Sequence, residues 1–209
     1  MAYGDFTLYD LTQRWHIATE EDMHLFTHID SIAISAHLAE TLQENLPLAL
    51  AIHSEKARSE MIIAPLLIEF RKLTGHRISL FSGLEFTVDA QQGLNGFCDF
   101  IISYAREQLF ISFPIILIVE AKNENIKGGI PQCIAAMIAA RLFNEQHGKT
   151  LPVLYGAVTT GESWKFLRLE ATTVSIDVDT YYAVQPGKIL GILLSMLPAL
   201  PEEAGRAAE

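Results

Sequence analysis

Glu120 and Lys122 stand two residues apart at the end of residues 114–122, a run whose Ile115, Ile116, Leu117, Ile118 and Val119 are apolar on both faces. Side chains two apart on a strand share a face. A carboxylate and an ammonium therefore leave this strand side by side, ~6.6 Å apart at the backbone. Asp99 belongs to the preceding strand segment, residues 97–104, and the short connection between them could make the two strands antiparallel neighbours. Two carboxylates converging at one sheet edge suit an oxygen-ligated divalent cation that keeps several waters. The chemistry such an ion supplies is polarisation of a phosphate and a lower pKa for an attacking water. Beside it, the Lys122 ammonium could orient that water or stabilise charge developing on phosphorus.

Two further residues fit the same chemistry. Three of the helical neighbours of Glu60 (Ala57, Ile63 and Ala64) are apolar, and the fourth is Lys56. A carboxylate on a core-facing stripe needs a partner, because burying it alone is costly; a metal, a bound water or Lys122 could serve. Gln132 shares a helical stripe with Ala135, Ala136, Ala139, Ala140 and Phe143. Such small residues let a helix approach a sheet closely, which brings the Gln132 amide near the strand ends.

The elements that must position these groups follow from periodicity and punctuation. Helical spacing is expected over 30–49, with Pro47 ending or bending the helix. A second helix is expected over 54–74, with Ser54 as N-cap and Gly75 past its end. Pro65 lacks the amide that would bond the Met61 carbonyl, so this helix should kink or break. Short strands are expected at 77–81 and 84–88 around Ser82-Gly83, then at 97–104 and 114–122. Gly128-Gly129 precedes a helix over 130–147 with Pro131 in its first turn. Strands over 151–158, 164–169 and 173–178 and a helix over 187–197 complete the order. Residues 5–28 have no clean period. The whole predicts an α/β fold with a mixed central β-sheet flanked by helices.

In this order, Glu60 on a helix, Gly96-Phe97-Cys98-Asp99, Ile118-Val119-Glu120-Ala121-Lys122 and Gln132 on the next helix resemble the PD-(D/E)XK nuclease superfamily. The resemblance covers about residues 54–160 and implies a restriction-endonuclease-like core. It implies metal binding by Glu60, Asp99 and Glu120, with Mg²⁺ or Mn²⁺ as the cofactor, Lys122 as the catalytic lysine and Gln132 as support. Cys98 stands where the family name places a proline, a position at which many members vary. More closely, residues 54–60 and 159–166 resemble a group of uncharacterised, largely cyanobacterial proteins, a likeness over nearly the whole chain that brings no known substrate.

Composition bounds these expectations. The chain of 209 residues is 50% hydrophobic and 19% charged, enough to bury a sizeable core without disulfides. Cys98 and Cys133 are its only cysteines, so a reduced cytoplasm is expected and both read as core thiols. No run approaches the ~20 apolar residues of a membrane span, and Met1-Ala-Tyr-Gly-Asp lacks the pattern of a signal peptide. The net charge of −10 opposes coating of nucleic acid by bulk electrostatics. Eight acids against Arg14 in residues 1–50 leave −7 there, and the tail 201–209 holds −2, so 51–200 carries only −1. The expected organisation is an acidic N-terminal extension with a helix packed on the core (1–50), a nuclease-like domain (51–200) and a polar tail (201–209).

The expected function is therefore a divalent-metal-dependent phosphodiesterase, a nuclease acting on DNA in restriction, repair or recombination. A homodimer would suit duplex cutting; no membrane and no organic cofactor is expected. The alternative is a catalytically silent module of the same fold that binds nucleic acid or a protein partner, through its acidic N-terminal segment for example. Trp164 with Lys165 is a weaker candidate contact for nucleic acid, because an aromatic on a strand is more often core. Lys127 with Gly128 and Gly129 could hold a phosphate at a helix N-terminus or form a plain turn. The bases Arg58, Arg71, Lys72, His76 and Arg77 form the one basic cluster, and the N-terminal histidines 16, 24 and 28 read as surface or cap residues.

Overall fold

The computed structural model describes residues 1–198, so the tail expected at 201–209 lies outside the described residues. Strands β1 (Ala18–Met23), β2 (Ser79–Glu85), β3 (Phe97–Ser103), β4 (Ile115–Ala121), β5 (Leu154–Thr159), β6 (Ser163–Glu170), β7 (Thr173–Asp177) and β8 (Tyr181–Tyr182) form one sheet. Its order is β1-β7-β6-β5-β4-β3-β2, with β8 paired to β6. The β4–β5 and β1–β7 pairs are parallel and the others antiparallel, so the sheet is mixed. All seven residues of β4 are buried, as its apolar run requires, because helices cover both faces of the sheet.

One face carries α1 (Leu8–Trp15) and the long α5 (Ile126–Gln146). The other carries α2 (Ala36–Ile52), α4 (Ala64–Leu73) and α6 (Pro186–Ser195). Between α2 and α4 lie α3 (Glu55–Arg58) and a π-helical turn, Ser59–Ile63. This is where the kink expected from Pro65 is found. The Ala64 amide bonds the carbonyl of Ser59, five residues back, and the Met61 carbonyl that proline leaves free accepts the Asn45 side chain at 3.0 Å. Ser54 caps the start, its Oγ accepting from the Ala57 amide at 3.2 Å.

Several boundaries differ from expectation. Helix α2 begins at Ala36 because Ser35 caps it, and it continues through Pro47 to Ile52. Helix α5 starts at Ile126 rather than residue 130, since the Asn125 side chain accepts from the Gly128 amide at 2.8 Å. Lys127, Gly128 and Gly129 are thus in the first turn of α5 and not a separate turn before it. At its full 21 residues α5 is, among the described residues, the one helix long and apolar enough to cross a membrane; here it lies against β4 and β5 with eleven buried residues. The sequence expectation missed that length by starting the helix late.

The two strands expected at 77–81 and 84–88 are one strand, β2. Gly83 takes φ +64° in its middle, a conformation glycine adopts without steric cost, so the chain continues instead of turning. Opposite it is Asp99, between the register pairs Ser82–Phe100 and Leu84–Cys98. Phe81 and Ile101 lie in the core under α5, and so do Cys98 and Phe86, whereas Leu80, Phe100 and Ile102 lie in the opposite core. Residues 98 and 101 are an odd number apart yet share a layer, so the side-chain alternation is reset at this point. The N-terminal segment, which has no readable period, supplies α1 and the edge strand β1. All six β1 residues are exposed, so no apolar alternation marks it.

Candidate active site

The β3–β4 register pairs Phe100 with Val119, and one step further brings Asp99 level with Glu120. Asp99 Oδ2 accepts from the Ala121 amide at 2.8 Å, which ties the two strand ends together. Lys122, just past β4, donates its amide to the Thr159 carbonyl of β5 at 2.8 Å. Its Nζ donates to the Ala121 carbonyl at 2.8 Å and stands 3.9 Å from Glu120 Oε2. That same oxygen accepts from Gln132 Nε2 at 2.8 Å. The structure thus brings together Asp99, Glu120, Lys122 and Gln132 at the C-terminal end of β4.

Gln132 reaches Glu120 because α5 lies very close to the sheet. A Cβ on Gly129 would come within 2.7 Å of Val158 Cγ1 and 2.9 Å of Lys122 Cγ. Across the same contact, a Cβ on Gly156 would meet the sulfurs of Met137 and Cys133. The N-terminal 3₁₀ turn, Tyr3–Asp5, closes this side: Tyr3 is buried and donates its hydroxyl to the Phe86 carbonyl at 2.7 Å.

The electrostatics of Glu120 are unusual. Its side chain is fully buried, and burial pushes its pKa well above the ordinary carboxylate value. Repulsion from Asp99 adds to the rise, Lys122 opposes it, the close approach of the Asp99 carboxyl favours keeping a proton between the two acids, and Glu55 adds the last contribution. Oε2 has one hydrogen-bond donor, Gln132, with Lys122 as a more distant ion pair, whereas Oε1 is buried and makes no direct hydrogen bond of good geometry. An orphaned buried carboxylate oxygen is costly.

Glu60 does not lie on a core-facing stripe as expected. Its side chain is 58% exposed and pairs with Lys56 at 2.9 Å. The expectation assumed a regular 3.6-residue period, whereas Glu60 lies in the π turn, which changes the helical phase. Glu60 instead lines the rim of a cleft of about 250 Å³ with Glu55, Ser59 and Asp99. Glu55 is the helix carboxylate that Glu120 senses, and sequence reasoning overlooked it. Its signal was present: Glu55 follows the capping Ser54, in the first turn.

The remaining candidates divide clearly. Trp164 is fully buried and donates Nε1 to the Gly161 carbonyl at 3.2 Å, so it is core and no nucleic-acid contact. Cys98 and Cys133 are buried free thiols, and burial raises both pKa values. Of the basic cluster, Arg58 stands apart, buried and donating to the Thr160 carbonyl, while Arg71 contacts His76 and Lys72 pairs with Glu69 at 3.6 Å. His16 caps α1 in the left-handed region, and His24 bonds Asp179 at 2.9 Å.

No family model, curated protein or solved structure matches this chain. The assignment therefore stands on its geometry. No three His, Cys, Asp or Glu side chains among the described residues converge as a finished metal cage. A Mg²⁺-type cation needs only one or two carboxylates, since it keeps most of its waters. Asp99 and Glu120 fit that requirement, because the orphaned Oε1 lies on the carboxylate whose charge Asp99 repels.

Proposed function

We propose that this protein is a divalent-metal-dependent phosphodiesterase, a PD-(D/E)XK-like nuclease acting on DNA. The observation that carries the proposal is Glu120: a buried carboxylate with one oxygen unpartnered, level with Asp99 and 3.9 Å from an ammonium. Asp99 and Glu120 are the residues that would hold Mg²⁺ or Mn²⁺, with Glu55 on the facing wall of the cleft. When bound, the cation polarises the scissile phosphate and lowers the pKa of the attacking water.

The chain's own groups do the rest. Gln132 holds Glu120 by Oε2 and so fixes the orientation of its carboxylate. Lys122 carries a fixed positive charge at the strand end, where it offsets charge that develops on phosphorus. Its Nζ has one carbonyl partner, so two of its three donors remain for a phosphate oxygen or a water. The covering α5 and Tyr3 exclude bulk water from the Glu120 side, which strengthens each of these interactions.

The direct trial is incubation of the full chain with circular, linear and branched DNA in Mg²⁺ or Mn²⁺. Cleavage is expected, and Lys122→Ala is expected to slow it about 10²–10³-fold, the usual loss when one charge-stabilising donor is removed. Absence of cleavage on every substrate, or undiminished cleavage by Lys122→Ala, overturns the proposal. A second reading, a non-cleaving binding module, draws support from Asp99 already accepting the Ala121 amide and Glu60 already engaging Lys56. Calorimetric titration with Mn²⁺ separates the two: the module predicts an intact fold that takes up no cation.

A further inference from the structure

A second cleft, of about 480 Å³, opens on the α5 side of the sheet, between the first turns of α5 and the strand ends of β6, β7 and β1. Strands β4, β5, β7 and β1 all run in one direction, so their C-terminal ends share one edge. Ile176 and Val178 at the end of β7 and Glu21 of β1 therefore emerge on the same edge as Glu120. Ile126 and Ile130 complete an apolar floor, and Lys127 and Glu21 stand exposed at the rim. The cleft adjoins the catalytic group through the first turns of α5, because Gly129, between Ile126 and Ile130, is the residue pressed against Lys122.

Charge decides what this cleft can take. An extended duplex footprint needs many cations facing phosphates, whereas the net charge here is −10 and the neighbouring cleft is lined by Glu55, Glu60 and Asp99. Along this edge Lys165 is already engaged, its Nζ donating to the carbonyls of Asp177, Val178 and Asp179. Lys122 and Lys127 remain, enough for one or two phosphates. The volume and apolar floor match a ligand of nucleoside size. Asp177 uses its carboxylate oxygens on the Leu25 and Asp179 amides and the Tyr181 hydroxyl, so Glu21 is the carboxylate left to accept from an exocyclic amino group.

We propose that this cleft holds one unstacked, amino-bearing nucleobase of a DNA strand, with its phosphates at Lys122 and Lys127, and that the substrate is single-stranded DNA. The inference rests on the nuclease reading for the identity of the neighbouring phosphate site. Unstacking a base is least costly where it is already unpaired.

The test is fluorescence anisotropy of a labelled cytidine pentanucleotide with the full chain in EDTA, where no cleavage is expected. The comparison probes are an abasic pentanucleotide of equal length and a blunt duplex. The cytidine probe is expected to bind about tenfold tighter than either, the effect of docking one base. Val178→Trp, at a half-exposed position, fills the cleft and is expected to abolish that difference; Ile126→Trp repeats the test should the first variant misfold. Equal binding of cytidine and abasic probes, or a preference that survives both fillings, overturns the base site. Base-dependent binding without cleavage of any DNA in Mn²⁺ upholds the base site and removes the nuclease reading. Cleavage with base-indifferent binding does the reverse.

Discussion

Glu120 pits two demands against each other. Ionised, it can hold a cation; buried beside Asp99, it resists ionisation. Its folded pKa is raised above the ordinary value of 4.5, so below that value burial of the neutral acid costs nothing extra. As pH rises past 4.5 the unfolded chain ionises first, and the folded state loses relative stability until Glu120 ionises too. Without divalent cation, Glu120→Gln is therefore expected to raise the neutral-pH melting temperature by roughly 2–4 °C, the shift that about 1 kcal/mol gives in a chain of this size. Melts in EDTA across pH check this, with the gain vanishing near pH 4. The same variant is expected to lose Mn²⁺ binding in calorimetry, so one substitution gains stability and loses the site. At this scale the sequence was largely legible. The two-residue spacing of Glu120 and Lys122 and the apolar run before them fix a shared face through strand geometry alone. The roles of Glu55 and Glu60 were not legible, because a π turn shifts which helical residues face the cleft.

Close approach governs the elements. Replacing Gly129 with alanine would ordinarily favour a helix by about 1 kcal/mol. Here the new methyl would fall 2.7 Å from Val158 and 2.9 Å from Lys122. Overpacking of this kind costs about 1–3 kcal/mol, so Gly129→Ala is expected to lower stability in urea unfolding and to slow cleavage by displacing Lys122. Asn45→Ala addresses the other side of the sheet. It leaves the Met61 carbonyl without the partner that compensates Pro65, and a loss of about 1 kcal/mol is expected in the same assay. Pro65 announced a break from the sequence alone, since proline has no amide. That the break is a π turn sealed by Asn45 required the tertiary contact with α2.

For the molecule as a whole, charge and sheet order set what can bind. With Lys122 and Lys127 as the cations assigned to phosphates, single-strand affinity is expected to fall with salt at a log–log slope of about −0.7 to −1.4, near 0.7 per phosphate neutralised. A steep slope, measured by anisotropy from low to moderate NaCl, would point to a broad basic surface elsewhere. By itself the sequence determined the α/β class, the buried central strand and the joint exit of Glu120 and Lys122, because these follow from period, apolarity and local stereochemistry. It did not determine that β1 joins the sheet beside β7, that α5 presses Gly129 onto Lys122, or that one cleft opens at Asp99 and another at the first turns of α5. Those features depend on which distant surfaces fit together, and an edge strand exposed on every residue or a glycine made necessary by a neighbour leaves no local pattern to read.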